Sequence, residues 1–597
     1  MCGITGFNWN DKELVKVMTN SIKHRGPDGF GYYTDKNVSL GHRRLAIIDL
    51  SKNGKQPMSD DTGTIWITFN GEIYNYKELR KELEKKYNFK SETDTETIIY
   101  AYKEYGIECL KKLNGMFAFA IWDSNKKILF LARDQIGVKP IYYYWDNKKF
   151  IFASEIKAIL KHKSYKKELN KNSLSQLLRF GYVPFNNTLF NDIYKLRAGN
   201  YIILKDNHLN INSYYDIHEN IIKRKEYDLL KELKEEINHS VKGNLESDVP
   251  IGVFLSGGID SSLLTALAHK QNKNITAFTL EFDMFSEMKY AKILTKKLGI
   301  KHYTSFMNEE MALKSLKEIE KNSDEPIIDS GIIPVYNLSK LARKNNYKVV
   351  LSGDGSDEIF GGYDYYYKLN KLAKLSNAIK LLKPLTLLSQ NINNKYKNYS
   401  ELKDPSKAYL FINRMFNDNE IKLGTKLYFN NELVYSNLTK ELDNKFNNYL
   451  NKILYLDLKY RLPEYFLMKT DKASMLNSIE VRVPYINNKI IDYSFTIQPE
   501  LKFKLAKNAL RKISYDLLPE IIRNRKKQGY GTPINSWIKN KLGEQIKNEL
   551  DSSLMIEDHV FNKNFVEQTI NKISLNNHYS NINWMMYSIS KWYSTNF

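Results

Sequence analysis

Residues 250–262 read PIGVFLSGGIDSS, and this stretch decides how the second half of the chain folds. Its apolar run passes through glycines into the helical pattern SSLLTALAHKQ, as expected for a buried strand followed by a helix. The same alternation recurs in ITAFTLEF, KYAKILTKKLG and KVVLSGDG. Buried strands separated by helices predict a parallel sheet covered on both faces, so we expect an α/β domain in this half.

The turn inside this stretch is suited to binding an anion. Glycines let the backbone approach a ligand, while a helix N-terminus and serine hydroxyls supply donors. No GxxxxGK[ST] loop occurs, so the sequence favours release of pyrophosphate over transfer of a γ-phosphoryl group. The nucleotide-binding residues predicted in the turn are Ser256, Gly257, Gly258, Asp260 and Ser261. The alternative is a turn that only closes a strand–helix corner.

A second glycine-rich loop, residues 349–363 with the sequence VVLSGDGSDEIFGGY, repeats this design. Its acidic residues Asp354, Asp357 and Glu358 follow an apolar strand. Two such loops at the carboxyl edge of a parallel sheet can hold one nucleotide and its metal. Asp260 would repel bare phosphates but becomes useful when Mg²⁺ lies between them. A solvated acidic turn is the alternative for this loop.

Short strand patterns dominate residues 2–215. They are VSLGHRRLAIIDL, TIWITFNGEIYNY, MFAFAIWD, KILFLARD, IYYYWDNKKFIFASE and NYIILKD, interrupted by the helical patterns YKELRKELEKKY and TDTETIIYAYKEYGIECLKKL. The polar run HENIIKRKEYDLLKELKEEINHSVKGNL reads as a linker that enters a helix. We therefore expect a mixed sheet-and-helix domain over 2–215 and a second domain over 225–597. Residues 363–460 are predicted to be helical and carry no recognisable chemistry.

The chain begins MCGITGF, which places Cys2 directly behind the initiator methionine. Removal of Met1 would leave a thiol and a free α-amine on one residue. This pairs a nucleophile with its own general base and indicates an N-terminal nucleophile enzyme. A cysteine that stands at this position by chance is the alternative, so the rest of the chain has to decide between them.

The segments GHRRLAIIDL, NGEIYN and SETDTE supply groups that such a nucleophile needs. An amino-acid substrate requires a cation for its α-carboxylate and an anion for its α-amine, which Arg44 with Glu72 or Asp94 would provide. Attack on a side-chain amide also requires an oxyanion hole, which the Asn70 side chain and the Gly71 N–H would form. Each residue alone is more often a surface charge or a turn. Together with Cys2 they indicate hydrolysis of an amino-acid amide.

Composition argues against several classes of protein. The chain has 597 residues, of which 42% are hydrophobic, enough for about two to four domains with cores of their own. Its two cysteines cannot build a disulfide framework at this length and indicate a reducing, cytoplasmic compartment. No apolar run is long enough for a membrane helix. The net charge of +22 raises nucleic acid as a partner, but the lysines are spread along the chain without a zinc-finger or RNP motif, so none is expected.

These motifs resemble the glutamine-hydrolysing asparagine synthetase family. The likeness runs in order through the N-terminal Cys, RGPDGFG, LGHRRLAIIDLS, NGEIYN, SDVPIGVFLSGGIDSS, LSGDGSDEIFGGY, SIEVRVPYINN and RKKQGYGTP. It implies an N-terminal nucleophile glutaminase domain with four layers, αββα, followed by a Rossmann-like, parallel-sheet ATP-pyrophosphatase domain. The implied substrates are glutamine, ATP and aspartate, with Mg²⁺ as the metal. Asparagine, AMP and pyrophosphate are the implied products.

The resemblance also implies roles for individual residues. Cys2 is the nucleophile, and glutamine is held by Arg44, Leu45, Ala46, Ile47, Ile48, Asn70, Gly71, Glu72 and Asp94. The ATP site is lined by Leu255, Leu280, Ser352 and Gly353. Asp260 and Asp357 bind Mg²⁺, while Asp354 and Lys507 are counted as catalytic, Lys507 by stabilising the intermediate. An internal ammonia tunnel between the two sites is implied as well.

The chain departs from the family pattern at three places. Asp354 stands where some members have Glu, which shortens its reach toward the acyl-adenylate. VPYIN replaces the commoner VPFLD, so Asn487 lacks a charge. The segment before Lys507 lacks the usual glycine.

The acceptor depends on pocket residues scattered through regions such as DEPIIDSGIIP and SIEVRVPYINN. Aspartate carries two carboxylates and an amine, so its pocket needs a cation and an anion, whereas a uronic acid sugar would need hydroxyl partners and more room. Arg482 is read either as a carboxylate clamp or as a structural ion pair. Amidation of a uronic acid is the main alternative.

Two other functions are disfavoured by the sequence. SGGIDSS argues against a phosphoribosyl-coupled glutaminase, and the presence of Cys2 and Asp260 argues against a non-catalytic binding protein. A homodimer is left open.

Overall fold

The computed structural model describes residues 2–282, 287–381, 402–443, 445–503, 507–525 and 532–597. Within them, two antiparallel sheets form the N-terminal half, and a parallel sheet with surrounding helices forms the C-terminal half. The α+β and α/β classes expected for the two halves are therefore both present.

The N-terminal half contains two six-stranded sheets. Its strands are β1 (Gly3–Phe7), β2 (Gly29–Thr34), β3 (Ser39–Arg44), β4 (Met58–Ser59), β5 (Ile65–Ile73), β6 (Gly115–Asp123), β7 (Ile128–Arg133), β8 (Tyr142–Trp145), β9 (Phe150–Ala153), β10 (Ile193–Lys195), β11 (Asn200–Lys205) and β12 (His208–Ser213). One sheet has the order β10-β8-β9-β1-β3-β2 and the other β12-β11-β7-β6-β5-β4. Every strand pattern singled out in the sequence forms a strand here.

The two sheets pack face to face because successive side chains of a strand point to opposite faces. In β6, Ala118 and Ala120 join the cluster between the sheets, whereas Phe119 and Ile121 join the cluster under the helices of the other face. The helices are α1 (Lys12–Ser21), α2 (Tyr76–Leu83), α3 (Asp94–Tyr105), α4 (Ile156–Ile159) and α5 (Lys171–Phe180), with 3₁₀ turns at Lys23–Arg25, Lys52–Gly54 and Gly106–Lys111. Since α1 packs on β3 and α3 on β5, the layers follow the expected order αββα.

The C-terminal half is built on a five-stranded sheet. The helix α6 (Glu226–Asn244) follows the polar linker, and the strands are β13 (Ile251–Phe254), β14 (Thr276–Phe282), β15 (Lys301–Met307), β16 (Val349–Leu351) and β17 (Glu480–Arg482). The strands run parallel in the order β15-β14-β13-β16-β17, which confirms the predicted parallel sheet. The edge strand β17 was not predicted, because its three residues are too few to show a period.

Helices fill the rest of this half. Between the strands lie α7 (Ile259–Gln271), α8 (Met288–Leu298), α9 (Glu309–Asn322), α10 (Ile332–Lys344), α11 (Ser356–Phe360) and α12 (Asp364–Leu381). Further helices are Pro405–Ile412, Asp418–Gly424, Asn431–Leu442, Tyr449–Leu456, Met468–Met475, Asn488–Ser494, Pro499–Phe503, Asn508–Ile513, Glu520–Arg523, Ile534–Trp537, Lys541–Asp551, Leu554–Glu557, Lys563–Ile570 and Asn577–Asn596.

One helical segment has an unusual winding. Asp457–Leu467 forms a π-helix with Pro463 inside it, between two α-helices. Of the region 363–460, which the sequence predicts to be helical, residues 382–401 and 444 lie outside the described residues. No helix of the described ranges combines the length and the hydropathy needed to cross a membrane.

Two candidate active sites

Cys2 lies directly before β1 and is half-buried. Its backbone N–H donates to Asn70 Oδ1 at 2.9 Å, and its Sγ lies 4.0 Å from the Leu45 carbonyl oxygen. Burial raises the pKa of the Cys2 thiol, so the thiol stays neutral unless a base takes its proton. A nucleophile at this position therefore needs a proton acceptor close to it.

A pocket of about 40 Å³ opens beside Cys2. Its lining includes seven of the residues predicted to hold glutamine, namely Arg44, Leu45, Ile47, Ile48, Gly71, Glu72 and Asp94. Ala46 lies in the same loop, where its N–H donates to Asp28 Oδ2 at 2.9 Å. Sequence reasoning missed Gly54, Gln56, Phe69, Thr93, Thr95 and Glu480, which also line the pocket. Thr93, Thr95 and Glu480 stand inside the quoted segments SETDTE and SIEVRVPYINN, where their residue types did not single them out, and Gly54, Gln56 and Phe69 carry no binding motif.

Asn70 and Gly71 lie in β5 next to the thiol. Asn70 is fully buried, and its Nδ2 has no hydrogen-bond partner among the described residues. A buried amide donor without a partner costs free energy, so it is suited to receive an oxygen of a ligand. Gly71 has φ +158°, and a Cβ there would lie 2.1 Å from the Met116 carbonyl oxygen. Only glycine fits this close approach of β5 and β6.

Two buried carboxylates contribute negative charge to the pocket. Asp94 Oδ2 accepts a hydrogen bond from the Ile73 N–H at 2.9 Å, and burial raises the pKa of Asp94 to about 6. Burial also raises the pKa of Glu72 well above its usual value, although Arg482 opposes this. Glu72 Oε2 accepts from Arg482 Nη2 at 2.7 Å, whereas Glu72 Oε1 is buried with no hydrogen-bond partner among the described residues. A substrate ammonium would satisfy this free oxygen.

Arg44 supplies the positive side of the pocket. Its guanidinium donates to the carbonyl oxygens of Ser51, at 2.7 Å, and Asp49. These bonds tie the loop after β3 to the arginine that lines the pocket. The cation is therefore held in place by neutral carbonyl groups.

Arg482 connects the two halves of the chain at this pocket. It is fully buried and, besides Glu72, bonds Glu480 Oε1 at 2.6 Å and the carbonyl oxygens of Asn244 and Glu246 at 2.9 and 2.6 Å. It does not line the large cleft of the C-terminal half. Of the two readings that the sequence left open for Arg482, the structure therefore supports the structural ion pair. Because Arg482 and Glu480 belong to β17, the parallel sheet completes the pocket of the N-terminal half.

The second candidate site is the large cleft of the C-terminal half, which has a volume of about 430 Å³ and lies beside the turns that follow β13 and β16. Its lining includes the predicted residues Leu255, Ser256, Asp260, Ser261, Ser352, Gly353, Asp354 and Asp357. Gly257 and Gly258 form the turn before α7, while Leu280 is buried in β14 and does not line the cleft. The two turns meet because β13 and β16 are neighbours in the sheet.

The turn after β13 is tightly packed. Gly257 has φ +72°, and a Cβ there would lie 2.7 Å from Tyr290 Cβ and 2.9 Å from the Ala291 nitrogen. Ser256 Oγ accepts from the Gly258 N–H at 3.3 Å and lies 3.0 Å from Ser261 Oγ. The two serine hydroxyls are thus placed together at the N-terminus of α7, where an anion is favoured.

Lys507 lies between the two predicted metal ligands. Its Nζ bonds Asp260 Oδ2 and lies 2.6 Å from Asp357 Oδ1. Burial alone would lower the pKa of Lys507, but these two carboxylates outweigh burial and raise it. Lys507 has φ +56°, a left-handed conformation that is uncommon for a residue other than glycine. The structure brings Lys507 to the cleft although the segment before it lacks the usual glycine.

Asp354 and Glu358 complete the acidic side of the cleft. Asp354 Oδ2 accepts hydrogen bonds from Ser352 Oγ at 3.0 Å and Thr470 Oγ1 at 3.2 Å. Glu358 Oε1 accepts from the Tyr363 hydroxyl at 2.5 Å, and burial raises the pKa of Glu358 to about 7. Asp354 is therefore held by two hydroxyls at a distance from Lys507, which contacts Asp260 and Asp357 instead.

Most of the far side of the cleft was missed by sequence reasoning, although Asp329 lies in DEPIIDSGIIP, a region that the sequence linked to the acceptor. The far side is lined by Asp329, Tyr363, Arg461, Tyr465, Phe466, Lys469 and Thr470. Most of them lie in or next to the π-helical segment, where aromatic and basic residues at helical spacing are typical of a packed or solvated face. Only the contact between this helix and the second glycine-rich loop shows that they face a cleft.

Comparison with known proteins matches a family model to each half of the chain. Residues 1–215 match the family model for a glutamine amidotransferase domain, and residues 232–594 match the model for asparagine synthase. The chain is 36% identical to asparagine synthetase (glutamine-hydrolysing) 1 of Bacillus subtilis, over 96% of this chain and 93% of the relative. It is 35% identical to a putative asparagine synthetase (glutamine-hydrolysing) 2 of Methanocaldococcus jannaschii, over 81% and 100%. It is 30% identical to asparagine synthetase (glutamine-hydrolysing) 3 of Bacillus subtilis, over 89% and 87%. Since both family models match in order and the relatives align over most of their length, this chain belongs to the glutamine-hydrolysing asparagine synthetase family.

Proposed function

We propose that this protein is a glutamine-dependent asparagine synthetase with a glutaminase domain over 2–215 and a synthetase domain over 225–597. The observation that carries the proposal is the presence of two separate sites on one chain. One combines a thiol with an unused amide donor, Cys2 and Asn70, and the other combines two carboxylates with a buried lysine. The first chemistry is hydrolysis of an amide and the second is activation of a carboxylate by a nucleotide.

At the first site, Cys2 Sγ attacks the side-chain carbonyl carbon of glutamine after Met1 has been removed. The α-amine of Cys2 takes the thiol proton, which it later delivers to the departing nitrogen, so that ammonia leaves and a thioester remains. The Asn70 Nδ2 and Gly71 N–H groups donate to the oxyanion. Water then cleaves the thioester and releases glutamate. The raised pKa of the buried thiol is the reason that the amine is needed.

The same pocket orients glutamine by charge. Arg44 pairs with the α-carboxylate, and Glu72 and Asp94 receive the α-ammonium. Leu45, Ala46, Ile47 and Ile48 form the loop that covers the side chain. Arg482 is a positioning residue, because it fixes Glu72 from the other half of the chain.

We expect Arg482→Lys to raise the KM for glutamine about tenfold, because a lysine cannot hold both Glu72 and Glu480 with one planar fork. Synthesis with ammonium as the nitrogen donor should change little. Steady-state kinetics with each donor measure the difference. Arg179→Lys is a matched control, since Arg179 is also buried, lies 3.6 Å from Asp418 of the other half and donates to the Phe416 carbonyl oxygen, but neither contacts Glu72 nor lines the pocket. Equal rises in KM for the two variants would contradict a role for Arg482 in positioning Glu72.

At the second site, a carboxylate oxygen of aspartate attacks the α-phosphorus of ATP. Pyrophosphate leaves, and the β-aspartyl-adenylate forms. Ammonia then attacks the acyl carbon and expels AMP, giving asparagine. The turn from Ser256 to Ser261 and the loop at Ser352 and Gly353 hold the nucleotide, while Lys507 stabilises the negative charge that develops. Asp354 is assigned to the acyl-adenylate side of the cleft.

Mg²⁺ fits the residues of this cleft. Asp260 Oδ1 is buried and has no hydrogen-bond partner among the described residues, and Asp357 lies on the other side of Lys507. Within the described ranges, no group of three or more His, Cys, Asp and Glu side chains could hold a metal by itself. The two carboxylates would therefore share the ion with phosphate oxygens. When bound, Mg²⁺ supplies positive charge to the departing pyrophosphate.

Ammonia has to reach the second site without being protonated in bulk water. Two small cavities, of about 50 and 10 Å³, lie between the halves of the chain and share Lys195, Glu464 and Met468 in their linings. The larger one also shares Asp329, Tyr465 and Lys469 with the nucleotide cleft. They support a proposal that ammonia passes through the interior of the protein. The free thiols of Cys2 and Cys109 support a location in the cytoplasm.

The test of this function is incubation of the enzyme with ATP, Mg²⁺, glutamine and aspartate. We expect asparagine, identified by mass spectrometry, together with AMP and pyrophosphate in amounts equal to the asparagine formed. Release of ADP and phosphate would contradict adenylation. Amide formation on a nucleotide-linked uronic acid, but not on aspartate, would contradict the acceptor while leaving the amidotransferase chemistry intact.

A further inference from the structure

Arg461 is the cation that faces the far side of the nucleotide cleft. It lies in the π-helical segment, is half-buried, and lines the cleft. Its guanidinium carbon is 5.1 Å from the centre of the Phe466 ring and 5.8 Å from the centres of the Tyr363, Tyr365 and Tyr465 rings. Four rings around one guanidinium hold it in a defined position and keep water away from its faces.

Several N–H groups of the Arg461 guanidinium have no acceptor among the described residues. Nη1 donates to the Tyr365 hydroxyl at 3.0 Å, and this is its one hydrogen bond to the described residues. No carboxylate oxygen of the described residues lies within 4.0 Å of its nitrogens. Asp457, one turn earlier, helps to raise the pKa of Arg461 through its charge, but it is not in contact with the guanidinium, and its Oδ2 accepts from the hydroxyls of Tyr365 and Tyr366. A positioned guanidinium without a carboxylate partner is suited to bind a planar anion through two parallel hydrogen bonds.

The other basic groups at the cleft are already paired. Lys469 Nζ lies 2.9 Å from Asp329 Oδ2, and Lys507 is shared between Asp260 and Asp357. Among the described residues that line the cleft, Arg461 is thus the cation whose charge is not matched by a carboxylate in contact. An anionic group of a ligand on this side of the cleft would find in Arg461 a cation without a carboxylate in contact.

A carboxyl group lies close to this cation. The Tyr363 ring faces Arg461, and the Tyr363 hydroxyl donates to Glu358 Oε1 at 2.5 Å. Arg461 and Glu358 thus flank a single tyrosine on the wall of the cleft. A guanidinium and a carboxyl group on either side of one tyrosine offer partners for the α-carboxylate and the α-ammonium of an amino acid. A sugar acid, which has hydroxyl groups and one carboxylate, would leave the guanidinium unmatched.

We propose that Arg461 binds the carboxylate of the acceptor that is not activated, so that the site selects a small amino dicarboxylic acid. This inference rests on the proposed function, because it assigns the acceptor part of the same cleft. The carboxylate to be activated then points toward the nucleotide turns, and the ammonium group faces Glu358. Arg461 touches the substrate but not the bond that is made.

The test uses substrates that lack one group at a time. AMP release is measured with ammonium as the nitrogen donor and with aspartate, β-alanine, succinate or glucuronate as the acceptor. β-Alanine is aspartate without its α-carboxylate, and succinate is aspartate without its amine. The unsubstituted enzyme should prefer aspartate to β-alanine in kcat/KM. Arg461→Gln should lower kcat/KM for aspartate by roughly 100-fold and leave the low value for β-alanine unchanged, which removes the preference.

Control measurements separate binding from damage to the fold. The KM for ATP and the glutaminase activity should be unchanged in Arg461→Gln, and Arg461→Lys should retain part of the preference because it keeps the charge. Arg197→Gln is the matched control: Arg197 also lies over an aromatic ring, 5.5 Å from the Tyr460 centre, and pairs with Glu441, but it does not line the cleft. It should keep the preference for aspartate.

The outcomes distinguish this inference from the proposed function. If Arg461→Gln lowers activity on aspartate and β-alanine by the same factor, the inference is wrong while asparagine synthesis stands. If succinate or another dicarboxylic acid replaces aspartate as the acceptor and its use depends on Arg461, binding of a carboxylate by Arg461 is supported and the assignment of aspartate is wrong. If the unsubstituted enzyme activates glucuronate alone, both fail, because that acceptor has no second carboxylate.

Discussion

Cys2→Ala should abolish asparagine formation from glutamine while ammonium still supports it. The thiol is the atom that forms the thioester, so we expect glutamine-dependent activity to fall on the order of 10⁴-fold or more. The nucleotide cleft lies in the other half of the chain and does not include Cys2 in its lining, so ammonium-dependent synthesis should keep its rate. Asparagine and glutamate production, measured with each nitrogen donor, give the glutamine-dependent and the ammonium-dependent activities.

The chain offers a matched control for this variant. Cys109 is the second cysteine, fully buried under the second sheet and outside the pocket, so Cys109→Ala should keep both activities. An N-terminal extension that cannot be removed should behave like Cys2→Ala, because it blocks the α-amine that takes the thiol proton. Equal loss of synthesis with glutamine and with ammonium in Cys2→Ala would refute the separation of the two sites.

Asp260→Asn should stop synthesis with either nitrogen donor and leave glutaminase activity in place. The substitution removes negative charge where Lys507, the phosphates and the proposed Mg²⁺ meet, and we expect kcat to fall roughly 10³-fold. Asp357→Asn should have a similar effect, since both carboxylates contact Lys507. AMP release and glutamate release, followed in the same reaction, measure the two activities separately.

Asp216→Asn serves as the control for these variants. Asp216 is also a carboxylate held by lysines, 2.6 Å from Lys445 Nζ and 3.0 Å from Lys459 Nζ, but it does not line the cleft. The Asp216→Asn variant should retain asparagine synthesis, even if its free energy of unfolding falls. Asparagine formation at the normal rate in Asp260→Asn would remove that carboxylate from the mechanism, and with it the proposed Mg²⁺ site.

Much of the fold could be predicted because it depends on local patterns. The period-two strands of the first half, the apolar strands before SGGIDSS and SGDGSDE, and the helix after the polar linker all appear where the sequence places them. Gly257 shows why such signals are local, since its φ of +72° is required by the turn in which it stands. The strand β17 was missed because three residues carry no detectable period.

The surroundings of the sites were harder to predict. Arg482 and Glu72 are 410 positions apart, yet they form a buried ion pair that no local pattern indicates. Arg461 was overlooked because a basic residue among aromatic ones at helical spacing is typical of a packed or solvated face. Leu280, assigned to the ATP site by resemblance, is buried in β14 away from the lining of the cleft, and its role stays a prediction.

The sequence by itself determined the order of most strands and helices and the two glycine-rich turns, because spacing and backbone conformation depend on neighbouring residues, and it named candidates for the reacting groups. Only the tertiary structure decided which charges meet. Burial makes an unpaired charge costly, so each buried ion finds its partner wherever packing brings one, even from the other half of the chain. For that reason Arg482 pairs with Glu72 at the pocket of Cys2, whereas Arg461, which has no carboxylate oxygen of the described residues in contact, lines the cleft.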